Sequence, residues 1–392
     1  MEKAIKRGKE KLIGAAILIM LLMICTSCAL LVPKEAPPYM EILVEDIVFE
    51  DKFYYEQLSD EDQIVYKEIY QGLMDQKEKI YVHSIDAESV NKIFENVIYD
   101  FAEIFWIDGT AVSTTFDDTY YSEYHTVIEV NYTYSDEERA QKETEIESAV
   151  TEVINGIPSE LNEYEKIRYV YEYLINNVSY VEEAPDNQNL YSSLVRKETV
   201  CAGYAKATQY LLNRLGVYCT YVVGTTTRDG ETENHAWNIV RCAGNYYYVD
   251  VTWADPIVDE ENPLAVNELA YDYLCCSQSD LAETHVLQEG YDYPACHSGD
   301  LNYYRLNDMF YETADEQQLL NKLRASIDAK AESVVFKFAD AASYEYGRQL
   351  MLDKLMNSAA EYLCNRYRLN QVEYYYAEDA VLHKFAVYWS YE

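Results

Sequence analysis

Basic residues are scarce in this 392-residue chain: 31 Lys and Arg stand against 69 Asp and Glu, a formal charge of −38. So acidic a surface repels nucleic acid and anionic headgroups, which excludes nucleic-acid binding as a function class. No CxxC pair occurs, so the usual frame of a structural zinc site is absent. No internal repeat appears, which sets aside solenoids and propellers. Phe is sparse, 10 residues against 41 Tyr. Tyr suits half-buried strand faces and binding clefts, where the ring packs and the hydroxyl stays wet. The apolar fraction of 49% is too high for a disordered chain, and the length calls for two or three domains.

The first residues read as an address. MEKAIKRGKEK is basic, and the apolar run at 12–24 is too short to span a bilayer comfortably. Ser27 before Cys28 resembles the bacterial lipobox, which implies acylation of Cys28; Cys25, behind bulky Ile24, is a second candidate. The expected parts are a signal peptide over 1–27 and a proline-bearing linker over 28–40. The location implied is the extracytoplasmic face of a bacterial cell membrane, held through a lipid anchor.

Three α+β stretches follow. Residues 41–156 hold helices near 59–77 and 86–98, strands EIFWID (103–108) and HTVIEVNYTY (125–134), and a helix capped by SDEE that stops at Asn155-Gly156. Residues 157–299 hold a helix over 159–177 and a second one over 199–216, with Thr199 as N-cap and Gly216 as the terminating glycine. Strands at 217–224, 235–241 and 246–253 come next. Residues 300–392 begin with strand-like YYRLNDMFY and alternate helices with strands to the end. Beyond Cys25 and Cys28 seven cysteines remain, an odd number, of which some are free to pair if the protein is exported. Cys275, Cys276, Cys296 and His297 make a poor ligand set because adjacent cysteines chelate one ion badly.

The stretch TVCAGYAKATQYLLNRLG puts Cys201 in the first turn of a helix, where unpaired N–H groups favour a thiolate and can hold an oxyanion. Such a thiol needs a base, and the base an orienting group. If CAGN closes a hairpin through two or four residues, residue i faces residue 487 − i. His235 then faces Thr252, with Asp250 as its diagonal neighbour on the same sheet face, within side-chain reach. A three-residue loop would place the two on opposite faces. A lone helical Cys, strand His or turn Asp is ordinarily structural; their conjunction is what points to chemistry. The other histidines, at 83, 125, 285, 297 and 383, have no such context and read as surface or structural.

TVCAGYAKATQYLLNRLGV, ENHAWNIV and YYYVDVTWADP together resemble the transglutaminase-like core, a branch of the papain-like cysteine enzymes, over roughly 160–256. EIFWID looks like the amino-terminal part of bacterial lipoproteins with this architecture. The resemblance implies an α+β fold in which a Cys-bearing helix packs on an antiparallel sheet bearing His and Asp. It implies Cys201 as nucleophile, His235 as base and Asp250 as orienting acid, with Trp237 and Trp253 as site walls. Gln188 and Asn189, upstream of the Cys, are open candidates for a second oxyanion donor; Gln188 is taken as site-lining. The implied reaction is attack on a peptide amide through a thioester, completed by water or by an amine, on protein or cell-wall peptide substrates. The glycine-rich calcium loops of animal transglutaminases are missing, so neither metal nor cofactor is expected. A binding module for a wall polymer or protein partner is the competing reading. On acidification His235 should cease to act as base.

Overall fold

Residues 34–40, 42, 49–116, 121–228, 230–254 and 270–391 are described by a computed structural model. The leader, Cys25, Cys28 and the first part of the linker lie outside them. The chain divides into two compact units, and both take discontinuous stretches. The smaller comprises residues up to 46, 60–94 and 110–131; the larger comprises 47–59, 95–109 and 132–392. The C-terminal stretch belongs to the same unit as the Cys-bearing helix.

The elements of the smaller unit are α1 (Asp60–Met74), β1 (Lys79–Val82), the start of α2 (Ala87–Asp100), β2 (Ile107–Phe116) and β3 (His125–Tyr132). Strand order is β1-β3-β2. Val65, Ile69 and Leu73 on α1, and Val90 and Ile93 on α2, recur at helical spacing and are buried. The expected strand at EIFWID starts only at Ile107, because Ile104, Phe105 and Trp106 turn into a core instead of alternating.

In the larger unit α3 (Asp136–Asn155) and α4 (Glu163–Asn177) each start with a capping box, Ser135 with Glu138 and Asn162 with Glu165. Two short strands, β4 (Ser179–Tyr180) and β5 (Glu198–Thr199), pair in parallel just ahead of α5 (Cys201–Arg214). Gly216, at φ +74°, reverses the chain after α5 in a conformation that suits glycine. The sheet behind α5 is antiparallel, ordered β10-β6-β7-β8-β9. Its strands are β6 (Cys219–Arg228), β7 (Glu231–Cys242), β8 (Asn245–Val249), β9 (Leu274–Cys276) and β10 (His285–Leu287). A helix bearing the cysteine thus packs on an antiparallel sheet, in an α+β fold.

After a short helix α6 (Gln278–Leu281), the C-terminal stretch builds α7 (Tyr303–Leu306), β11 (Phe310–Tyr311), α8 (Glu316–Asp328) and β12 (Ser333–Phe338). It continues with α9 (Ala341–Leu350), α10 (Met356–Tyr367), β13 (Tyr374–Asp379) and β14 (Lys384–Trp389). Its four-stranded sheet runs β11-β12-β14-β13 around Leu319, Leu323, Phe336, Phe338, Phe385 and Trp389. YYRLNDMFY, expected as one strand, is α7 followed by β11; Asn302 caps α7 by accepting the N–H groups of Tyr304 and Arg305. All seven cysteines from Cys201 onward are free thiols, five of them buried, so no pairing holds this fold together.

Candidate active site

The site grows from the β7–β8 hairpin. Ala243 and Gly244 both have positive φ, at +49° and +82°, as a two-residue turn of this handedness requires. The turn fixes the register: Asn238 faces Val249, Ile239 faces Tyr248, and Cys242 faces Asn245, each pair obeying the 487 − i rule. Alternation along β7 then gives His235, Trp237 and Ile239 a common face. The chain leaves β8 with Asp250 reaching His235: Nε2 of His235 lies 2.7 Å from Oδ2 of Asp250.

Cys201 stands at the first position of α5 and is half-buried, packed against Ala205, Tyr221 and Ala236. Its side chain is one of the groups that raise the pKa of His235. The expected cap is different. Thr199 belongs to β5, and its hydroxyl is committed to the Asn187 carbonyl at 2.6 Å and to Ser192 at 2.8 Å. The N-cap residue is Val200, which has no side-chain acceptor. No side chain therefore caps the amides at the turn where the thiol stands, and donors remain there for an anion.

Charge at the site is set by two opposing effects. Burial pulls the pKa of His235 down, but the Asp250 carboxylate and the hydrogen bonds to Asp250 and Cys201 outweigh it, and the value is pushed up to about 10. Burial alone would raise the Asp250 pKa; His235 and then His285 hold it well below the usual carboxylate range. Oδ1 of Asp250 accepts the N–H of Thr252 at 2.8 Å and of Trp253 at 3.3 Å. Tyr180 is paired with Thr199 across β4 and β5, and burial first, then Cys201 nearby, lift its phenol to about 12.

Trp237 and Trp253 both line the imidazoles. Trp237 stacks on His235 at 5.9 Å between centroids, and Trp253 meets the same ring edge-on at 6.3 Å, with Arg228 over its indole. Gln188 is exposed, on the loop where the Asn187 carbonyl accepts the Val200 N–H. Asn189 is committed elsewhere, to the Ser192 amide and the Phe105 carbonyl.

The sequence reading missed His285. It is buried, and its Nε2 lies 3.0 Å from the same Asp250 Oδ2 that meets His235. The view that it lacks context is therefore corrected. A short strand 35 residues beyond Asp250 carries no period or spacing that would have linked the two. Among the described residues His235, Asp250 and His285 are the one His, Cys, Asp or Glu group whose ligand atoms converge enough to hold an ion. Their 2.7 and 3.0 Å separations are those of hydrogen bonds. Donors around tetrahedral zinc, at about 2.0–2.1 Å from the ion, sit about 3.3 Å apart.

The sequence model of the transglutaminase-like superfamily matches residues 148–251, the span that holds Cys201, His235 and Asp250. Residues 148–251 form a transglutaminase-like domain. Kyphoscoliosis peptidase of Mus musculus is similar, 25% identical over 128 residues, which are 29% of this chain and 19% of that protein. The chain thus spans about a fifth of this relative's length. Among solved structures, a candidate cysteine protease from Cytophaga hutchinsonii is 14% identical, with 37% of this chain and 63% of that one covered at a TM-score of 0.24. A TGase is 15% identical, with 50% and 54% covered at a TM-score of 0.26. Superpositions at these scores add no weight.

Proposed function

We propose that this protein is a cysteine enzyme that cleaves peptide amide bonds through Cys201, His235 and Asp250, and that it does so at a membrane surface. The observation that carries the reading is the His235–Asp250 hydrogen bond, with the thiol of Cys201 acting on the same imidazole, within the span that matches the transglutaminase-like superfamily.

The Cys201 sulfur attacks the amide carbonyl as thiolate, forming an S–C bond. The carbonyl oxygen takes the negative charge beside the uncapped amides of α5. The C–N bond then breaks, and His235 gives its proton to the departing amine, leaving a thioester. Water attacks the thioester while neutral His235 takes its proton; the C–S bond breaks and the acid product leaves. Asp250 stabilises the imidazolium and fixes which nitrogen faces the sulfur. If an amine replaces water, the same steps yield a crosslink. Hydrolysis is favoured by the name of the mouse relative, a peptidase. Trp237 and Trp253 act as walls, and Gln188 is a candidate oxyanion donor. Substrates are peptides or proteins, cell-wall peptides among them.

The leader and Cys28 support lipid anchoring on the extracytoplasmic face of a bacterial membrane. No helix among the described residues is long and apolar enough to cross one. Metabolic labelling with an alkynyl fatty acid, present in the wild type and lost in Cys28→Ala, tests the anchor. Mass spectrometry of a peptide library, with and without an added primary amine, tests the reaction. Cleaved peptides that vanish with Cys201→Ala support hydrolysis, and amine-bearing products support transfer. An unchanged library favours a binding module.

A further inference from the structure

Asp250 accepts from two imidazoles, where the proposed chemistry uses only one. Each of its oxygens has two partners: Oδ1 the amides of Thr252 and Trp253, Oδ2 the rings of His235 and His285. The amide bonds come from the turn that follows Asp250 and fix one oxygen. The other oxygen must be held from a different part of the chain. In a dry site a half-satisfied carboxylate oxygen is costly, and free to take a geometry that suits neither ring.

The contacts beyond His285 form a chain. A carboxylate only accepts, so His285 Nε2 donates to Asp250 and its Nδ1 faces away from the carboxylate. Its neighbour there is the Thr284 hydroxyl, 2.8 Å away, which in turn meets the Tyr273 hydroxyl at 2.7 Å. Burial keeps the Tyr273 phenol pKa well above its ordinary value, so it keeps its proton. The circuit closes on itself, since the Tyr273 carbonyl accepts the backbone N–H of Asp250 at 3.1 Å. Trp237, Trp253 and Tyr273 surround the His285 ring at 4.9–5.1 Å and limit its rotation.

We propose that His285 is a positioning residue: with Thr284 and Tyr273 behind it, it holds the Asp250 carboxylate in the one orientation that serves His235. This rests on the reading of Cys201, His235 and Asp250 as one catalytic group. Its consequence is a four-part arrangement, in which the second histidine never meets the substrate.

The test is the rate at which iodoacetamide alkylates Cys201 in the full chain, read by peptide mass spectrometry beside the melting temperature. Positional loss of this kind costs about 10- to 100-fold, so His285→Phe is expected to slow alkylation by that factor. His285→Gln keeps an N–H for Asp250 and recovers most of the rate. In an Asp250→Asn background His285→Phe adds nothing beyond about twofold. If His285→Phe does not fold, Thr284→Val, which removes the hydroxyl at Nδ1, is expected to slow alkylation while His285→Gln does not. A fast wild-type Cys201 that is unmoved by His285→Phe or Thr284→Val, or losses equal in both backgrounds that follow melting temperature, overturn the proposal alone. A wild-type Cys201 no faster than Cys364, and indifferent to His235→Ala, overturns the catalytic reading along with it.

Discussion

Asn238 on β7 donates its side-chain amide to the Ala205 carbonyl of α5 at 3.0 Å and to the Thr220 carbonyl of β6 at 3.2 Å. One buried side chain thus ties the helix that begins at Cys201 to the strand that carries His235.

Replacing Asn238 by Leu removes the donor and leaves buried carbonyls unmatched, at about 1–3 kcal/mol. Chemical denaturation should record that loss. Alkylation of Cys201 should slow beyond what the unfolded fraction explains, since helix and strand lose their common pin.

Gly224 lies opposite His235 on β6 and opposite Leu287 on β10. A Cβ there would stand 2.1 Å from the Val286 carbonyl oxygen and 2.7 Å from the Trp237 ring. Both neighbours are held, one by backbone and one by burial. Gly224→Ala is therefore expected to cost about 1–3 kcal/mol as an overpacked site. It should also displace β10, so peptide cleavage should fall more than stability does.

The pH behaviour differs from the simple expectation that acid silences His235. The ring holds its proton up to about 10 because Asp250 lies beside it. The raised value contributes stability fully below the ordinary imidazole pKa of about 6.5, and that contribution is lost as pH rises through about 10. The depressed Asp250 carboxyl contributes above its ordinary range, and its share is lost as pH falls below that range. Cleavage should therefore pass through pH 6–7 without a step from His235 and fall as pH approaches about 10, as the proton for the departing amine is lost. His235 ring shifts followed by NMR across this range check the assignment.

A second buried carboxylate anchors the segment beside the site. Asp272 accepts from Lys337 at 3.3 Å, from Tyr304 at 3.0 Å and from Lys384. Burial alone would raise its pKa; Lys384 and Lys337 bring it down to about 2. This contribution is present above the ordinary carboxylate value and is lost as pH falls through about 2. Asp272→Ala strands two lysines near one another and should cost about 3–5 kcal/mol. Lys384→Met should cost less, because Lys337 remains. Thermal unfolding of both variants tests the ordering.

What the sequence showed well was local. The hairpin register followed from a two-residue turn, and the SDEE cap appeared as written, because neighbouring residues set both. What it hid was decided by distant partners. Thr199 looked like a cap until Asn187 and Ser192 claimed its hydroxyl. His285 looked idle because Asp250 lies 35 residues away in the chain. Asp272 showed nothing of its lysines, which come from β12 and β14.

The central claim is that Cys201 forms a bond to the substrate. Mixing enzyme with a cleaved peptide, quenching in acid within the first turnover and measuring intact mass tests it most directly. The account predicts an added acyl mass located at Cys201, absent in Cys201→Ala and diminished in His235→Ala. Cleavage that persists in Cys201→Ala, with no adduct on the wild type, would contradict it.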